Sequence, residues 1–204
     1  MTTISIIGAG NMGTAIATLG LTGGHSVQVI GRDIEKARVT EAVTAGVIGD
    51  ELSGDIVILA LPHPAVDEVL ATYGSQLAGK TVVDITNPVD FESFDSLVVP
   101  SDSSKTAEIA AKLPDTAVLK AFNTNFAATL IGGTVGTVQT AVLIAGDDTE
   151  AKSVLSDVVI SGGLRAVDAG SLKRARELES LGFLQLTLAA GEKTSWTTGF
   201  ALEK

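Results

Sequence analysis

The stretch Met1–Gly20, MTTISIIGAGNMGTAIATLG, decides the fold. Thr3 to Ile7 is short, apolar and rich in β-branched residues, which predicts a buried strand. Asn11 to Leu21 carries a helical pattern that ends near Gly23-Gly24. Between them stand Gly8, Gly10 and Gly13, in the spacing G-x-G-x-x-G. That spacing has a physical meaning only between a strand and a helix. Gly8 allows the tight turn out of the strand. Gly10 has no side chain, so a pyrophosphate can approach the backbone. Gly13 lets the helix pack close to the strand. The free amides and partial positive charge at the helix start then face the phosphates. Gly8, Ala9, Gly10, Asn11, Met12 and Gly13 are therefore the expected phosphate loop of a dinucleotide site. The competing reading is a glycine turn in a similar fold that has lost its ligand.

Working outward, strand and helix patterns alternate. Ser26–Ile30 reads as a second strand, followed by a charged helix from about Asp33 to Ala45. Asp55–Leu61 (DIVILAL) is almost wholly apolar, as a central parallel strand covered on both faces must be. Pro64–Leu77 reads as helix, Lys80–Ile85 as strand and Asn87–Asp102 as loop. Ser104–Leu113 reads as helix, Ala117–Phe122 and Gln139–Ala145 as strands, and Asp148–Ile160 as helix. Leu164–Asp168 is a last short strand, and Ser171 to about Ala190 a long helix, apolar nearly all round from Leu181. Repeated strand–helix units predict an α/β, Rossmann-type, doubly wound sheet, mostly parallel, with a small C-terminal helical portion. Residues 1–204 read as one unit, the part from about residue 123 completing the cleft and offering a dimer contact.

Composition excludes other classes. The net charge is -10 among 204 residues, so a basic face for nucleic acid is not expected. There are no cysteines and only two histidines, His25 and His63, which removes disulfide, thiolate and histidine-rich metal chemistry. No apolar stretch approaches the roughly 20 residues of a membrane span, and no signal peptide is read. The expectation is a cytoplasmic protein.

The end of the second strand selects the dinucleotide. NAD sites commonly place an acid there, about 20 residues after the glycine motif. Here Gly31 holds that position and Arg32 follows. Arg32 can grip a ribose phosphate with its planar fork of donors, and Lys36 can add a second positive charge. NADP is expected. The opposing reading makes Arg32 and Lys36 ordinary surface charges, with Asp33 standing in for the acid. Further candidates lie at other carboxyl ends of strands. Ala60, Leu61, Pro62 and His63 would flank the ribose and pyrophosphate. Asn87 and Pro88 follow the fourth predicted strand, Lys80–Ile85, with Asn87 near the nicotinamide. Asn123, in KAFNTN, faces the reaction site or Lys120 instead pairs with an acid such as Asp84. No catalytic acid–base group is assigned: no Ser-His-Asp arrangement and no pair of hydrolytic carboxylates is present, which suits chemistry carried by cofactors. His25 reads as remote from this edge, and Trp196 as packing.

The combination IGAGNMGTAIA, VIGRD, VILALP, VVDITNP, KAFNTN and GDDTEAKSVLSDVVISGGLRAVDAGSLKRARELE, with the tail Trp196…Gly199-Phe200, resembles the NADP-dependent reductases of the deazaflavin coenzyme F-420 along essentially the whole chain. It is most similar to their small dinucleotide-binding relatives. The resemblance implies NADP(H) held at Gly8 to Gly13 and through Arg32, a dimer, and hydride passing directly between stacked rings framed by the Asn87-Pro88 and Asn123-Thr124 loops. The same nucleotide module resembles the cytosolic part of membrane ferric reductases, where a flavin takes the hydride. The opening GAGNMG is also similar to pyrroline-5-carboxylate reductase, whose longer helical dimerisation region is missing here. The expected function is an NADP(H)-dependent oxidoreductase passing hydride to a second redox cofactor or small acceptor. A non-catalytic NADP sensor and an imine reductase are the alternatives.

Overall fold

The computed structural model describes residues 1–203. Its strands are β1 (Thr3–Ile7), β2 (Ser26–Gly31), β3 (Thr44–Val47), β4 (Ile56–Leu59), β5 (Thr81–Asp84), β6 (Ala117–Lys120), β7 (Thr134–Val135), β8 (Val138–Gln139), β9 (Ala141–Gly146) and β10 (Arg165–Gly170). The helices are α1 (Asn11–Thr22), α2 (Ile34–Ala37), α3 (Val66–Leu77), α4 (Lys105–Lys112), α5 (Ala127–Gly132), α6 (Thr149–Ser161) and α7 (Ala175–Ala190). Eight strands form one sheet in the order β10-β9-β6-β5-β4-β1-β2-β3, and β7 with β8 forms a separate hairpin.

Neighbouring side chains on each strand leave the sheet on opposite faces, and the core divides accordingly. Ile56 and Ile58 of β4 join Ile4, Ile6, Val27 and Val29 under α1 and α6. Val57 and Leu59 join Ile7, Ile30 and the α3 residues Val66, Val69, Leu70 and Tyr73 on the other face. A strand buried on both sides has no polar face, which is why DIVILAL lacks alternation. The Rossmann-type α/β sheet expected from the alternating pattern is present. Among the described residues, no helix is long and apolar enough to cross a membrane.

Three elements depart from the sequence reading. The helix expected over Asp33–Ala45 is only the four residues of α2, and the chain then adds β3 as an edge strand parallel to β2. Val39, Thr40, Val43 and Thr44 are β-branched and lose side-chain freedom in a helix; the first three lie in the bend after α2, and Thr44 opens the edge strand. Second, α5 and the β7–β8 hairpin occupy a segment to which the sequence reading assigned no element; Gly136, at a φ of +60°, makes its turn. Third, β9 runs antiparallel to β6, with Leu119 opposite Gly146 and Lys120 opposite Ala145. The segment after β6 carries only the short α5 and a hairpin, so the chain re-enters the sheet from the edge it has just left. β10 then pairs parallel to β9, and α7 packs on α4 and β9.

Candidate functional site at the carboxyl edge of the sheet

The glycine loop joins β1 to α1, and each glycine has a different surrounding. Gly8 has a φ of +125°, and a Cβ there would lie 2.0 Å from the Ala60 carbonyl oxygen. A Cβ on Gly13 would lie 1.9 Å from the Gly8 carbonyl oxygen. These two positions are closed to any side chain. A Cβ on Gly10 would meet nothing within 4 Å. Gly10 is exposed, caps α1 without any side-chain hydrogen bond, and its carbonyl accepts from Thr14 N. The amides of Asn11, Met12 and Gly13 therefore begin the helix with open space in front of them. A cradle with that space and those donors fits a pyrophosphate.

The other candidates at the nucleotide end gather around this loop. Gly8 N donates to the Ile30 carbonyl at 2.8 Å, and a Cβ on Gly31 would come within 3.6 Å of the Ala9 Cβ. The end of β2 thus abuts the loop. Among the described residues, neither Arg32 nor Lys36 has a carboxylate partner, and both are exposed. Asp33 is committed elsewhere: its Oδ1 caps α2, accepting from Glu35 N at 2.9 Å. That occupation weighs against Asp33 as a ribose ligand. Ala60 lies against Gly8, with Leu61 and Pro62 leading into the short turn that bears His63. The His63 ring is not free: Nε2 donates to the Val89 carbonyl at 3.1 Å, and the ring stacks on Phe91 at 5.5 Å.

Farther along the edge, the structure joins the two asparagine loops. Asn123 Nδ2 donates to Asn87 Oδ1 at 2.9 Å and to the Leu178 carbonyl at 2.8 Å. Asn87 Nδ2 donates to the Asn123 carbonyl at 2.9 Å. Asn87 is therefore clasped by Asn123 rather than standing alone, and Pro88 is buried beside it. Phe122, fully buried, has a φ of +62°, a left-handed conformation that costs a bulky residue about 1–3 kcal/mol. This turn carries the chain from Lys120 to Asn123, and Asn123 N donates back to the Ala121 carbonyl. Two residues of α7 complete the edge and escaped the sequence reading. Gly182 is required because a Cβ there would lie 2.4 Å from Asn87 Oδ1. Glu179 enters a buried ionic cluster. Its legible trace is one acid on the helix face shared with Ala175, Leu178 and Gln185.

That cluster ties the loops to the sheet. Lys120 Nζ donates to Asp84 Oδ2 at 2.8 Å, to Glu179 Oε1 at 3.0 Å and to the Thr86 carbonyl at 2.5 Å. The pairing of Lys120 with Asp84 expected from sequence is observed. Burial pushes the Glu179 carboxyl above the usual carboxylate range, and the Lys120 charge pulls it part of the way back. Trp196 packs on Phe126 with ring centres 5.1 Å apart, while His25 bonds Thr2 N and Ser161, away from this edge. Two open clefts, one lined by Asp67, Gly74 and Lys112 and one by Lys80, Asp115 and Asp147, lie away from all these loops.

Comparisons with known proteins fall on the same regions. The family described as coenzyme F420-dependent NADP oxidoreductase matches residues 3–88, the span from β1 through the Asn87-Pro88 turn. An F420-dependent NADP reductase of Methanocaldococcus jannaschii is 30% identical over 172 residues, covering 81% of this chain and 77% of the relative. The rat metalloreductase STEAP3 is 32% identical over 181 residues, 87% of this chain, but the chain spans only 36% of that relative. Among solved structures, a hypothetical protein of Sinorhizobium meliloti is 30% identical with a TM-score of 0.75, covering 84% of this chain and 86% of that one. A structure from an Arthrobacter species covers both chains fully with a TM-score of 0.86 at 24% identity, a likeness of fold. Identity spread over four-fifths of the chain, with the glycine loop and both asparagine turns inside the aligned fold, places this chain in the family of coenzyme F420-dependent NADP oxidoreductases, and so among the NADPH-dependent oxidoreductases.

Proposed function

We propose that the chain binds NADP(H) through Gly8, Ala9, Gly10, Asn11, Met12 and Gly13, with Arg32 and Lys36 on the 2′-phosphate and Ala60 to His63 flanking the ribose. The nicotinamide then lies at the edge framed by Asn87, Pro88 and Asn123. Hydride passes between it and a flavin- or deazaflavin-like ring. The observation that carries this reading is the state of the side chains at that edge. The converging groups are amides, and each strong proton donor nearby is either engaged or packed away from the edge. All three Lys120 hydrogens are used. His63 Nε2 is held by Val89. The Tyr73 hydroxyl is buried on the α3 face, accepting from Gly49 N at 2.8 Å. Reduction of a carbonyl or imine needs a proton delivered at the reacting atom. Transfer between two rings needs alignment, which rigid loops supply.

NADPH oxidation followed with flavin, deazaflavin and quinone acceptors tests the reading. Turnover with a ring acceptor is expected. Tight NADPH binding without turnover across the whole panel would leave a nucleotide sensor instead. Arg32→Ala is expected to weaken NADPH by about 1.5–3 kcal/mol while leaving NADH nearly unchanged, the size of a lost charge-assisted pair. Titration of both nucleotides checks it; equal weakening would remove Arg32 from the phosphate.

The C-terminal portion from about residue 123 completes the cleft through Asn123 and α7, within one domain. We also assign the dimer contact to the Leu181–Ala190 stretch, in a cytoplasmic homodimer. Leu184 remains 49% exposed there, with Trp196 and Phe200 similarly uncovered. Light scattering at micromolar concentration is expected to give twice the chain mass, and a monomer would refute the assignment.

A further inference from the structure

The Asp84–Lys120–Glu179 cluster does more than hold the loops. Two carboxylates share one ammonium, and all three residues are fully buried. The two carboxylates accept further hydrogen bonds from the packed elements. Asp84 accepts from Thr86 N at 2.9 Å and Thr106 Oγ1 at 2.7 Å. Glu179 accepts from Lys105 N at 3.1 Å and Thr106 N at 3.3 Å. These donors, with Lys120, oppose the burial that raises the Glu179 carboxyl. The nearest other cation, Lys105 Nζ, turns away to Asp67 and Glu108. The start of α4 returns roughly half a positive charge. With Glu179 ionised the balance inside the protein is negative, and the cluster reaches the edge through a single peptide group, the Thr86 carbonyl preceding Asn87.

Resting on the reading that the nicotinamide lies at the Asn87–Asn123 edge, we infer that Asp84 and Glu179 are specificity-determining residues that make the site prefer oxidised over reduced nicotinamide. The two forms differ by one charge at the ring. When hydride leaves, both electrons of the C–H bond go with it to the acceptor ring, which also takes a proton from water. The nicotinamide left behind carries one positive charge. A buried negative excess stabilises that cation and is indifferent to the neutral reduced ring. About half a unit charge acting through protein over about 10 Å is worth about fourfold in relative affinity. Bound NADPH is thereby a stronger hydride donor than free NADPH.

The test is the ratio of dissociation constants for NADPH and NADP+, measured by calorimetry without any acceptor. Wild type is expected to bind NADP+ about fourfold more tightly than NADPH. Glu179→Gln and Asp84→Asn, each removing one negative charge, are expected to close most of that gap. Thr106→Val removes hydrogen bonds but no charge, and is expected to keep the ratio while lowering the melting temperature. Equal affinities in wild type, or a preference for NADPH, overturn the inference without any variant. So does an unchanged ratio in a folded acid variant, or an equal change in Thr106→Val. Failure of wild type to bind either nucleotide would instead strike the proposed function, and the inference with it.

Discussion

Lys120→Met is expected to cost about 3–5 kcal/mol of stability, the penalty for leaving buried charge without its partner. Methionine keeps most of the volume, so the loss is electrostatic rather than a cavity. Asp84 and Glu179 would face each other with no cation among the groups between them, and the Thr86 carbonyl would lose its donor. The penalty depends on pH, and its sign follows from Glu179, whose folded carboxyl titrates above its unfolded value. A group raised in that way contributes its full stability below the unfolded value and loses it as pH rises through the folded one. Lys120 is what limits the rise, so its removal deepens the loss at neutral and alkaline pH. Urea unfolding at pH 8 and pH 5 is expected to show a large deficit at the first and a smaller one at the second. A deficit independent of pH would mean that the cluster does not carry the charges assigned to it.

The second large effect is a loss of binding without a loss of fold. Gly10→Val is expected to leave the melting temperature near that of wild type, because a Cβ there meets nothing within 4 Å. The same isopropyl group would stand where the pyrophosphate must approach, and NADP binding is expected to fall at least about 100-fold, roughly 3 kcal/mol. Gly13→Ala should do the reverse. Its methyl group would overlap the Gly8 carbonyl, so helix and strand must separate, at about 1–3 kcal/mol. Melting curves and nucleotide titrations on the two variants separate the roles. Retention of wild-type affinity in Gly10→Val would move the phosphate site away from this loop.

The amino-acid sequence alone determined the sheet's nucleotide half apart from its β3 edge. Continuous apolar runs, glycine spacing and an arginine at the end of β2 are local signals, and local backbone sterics and charge are enough to read them. Strands of four or five residues buried on both faces announced themselves by their lack of alternation, and helix caps such as Ser104 and Asp148 stood where the helices begin. Tertiary structure decided what depends on contacts between distant segments. That α2 stops after one turn follows from an edge position open to β3. That β9 reverses direction follows from how a short segment folds back on one edge. The clasp of Asn87 by Asn123 needs residues 36 apart, and the bond from Lys120 to Glu179 needs residues 59 apart. A single acid on an otherwise apolar helix face reads as an oddity until packing sets it against a lysine. Only burial, which removes water from around both groups, turns that oddity into the charge that holds the loops of the site.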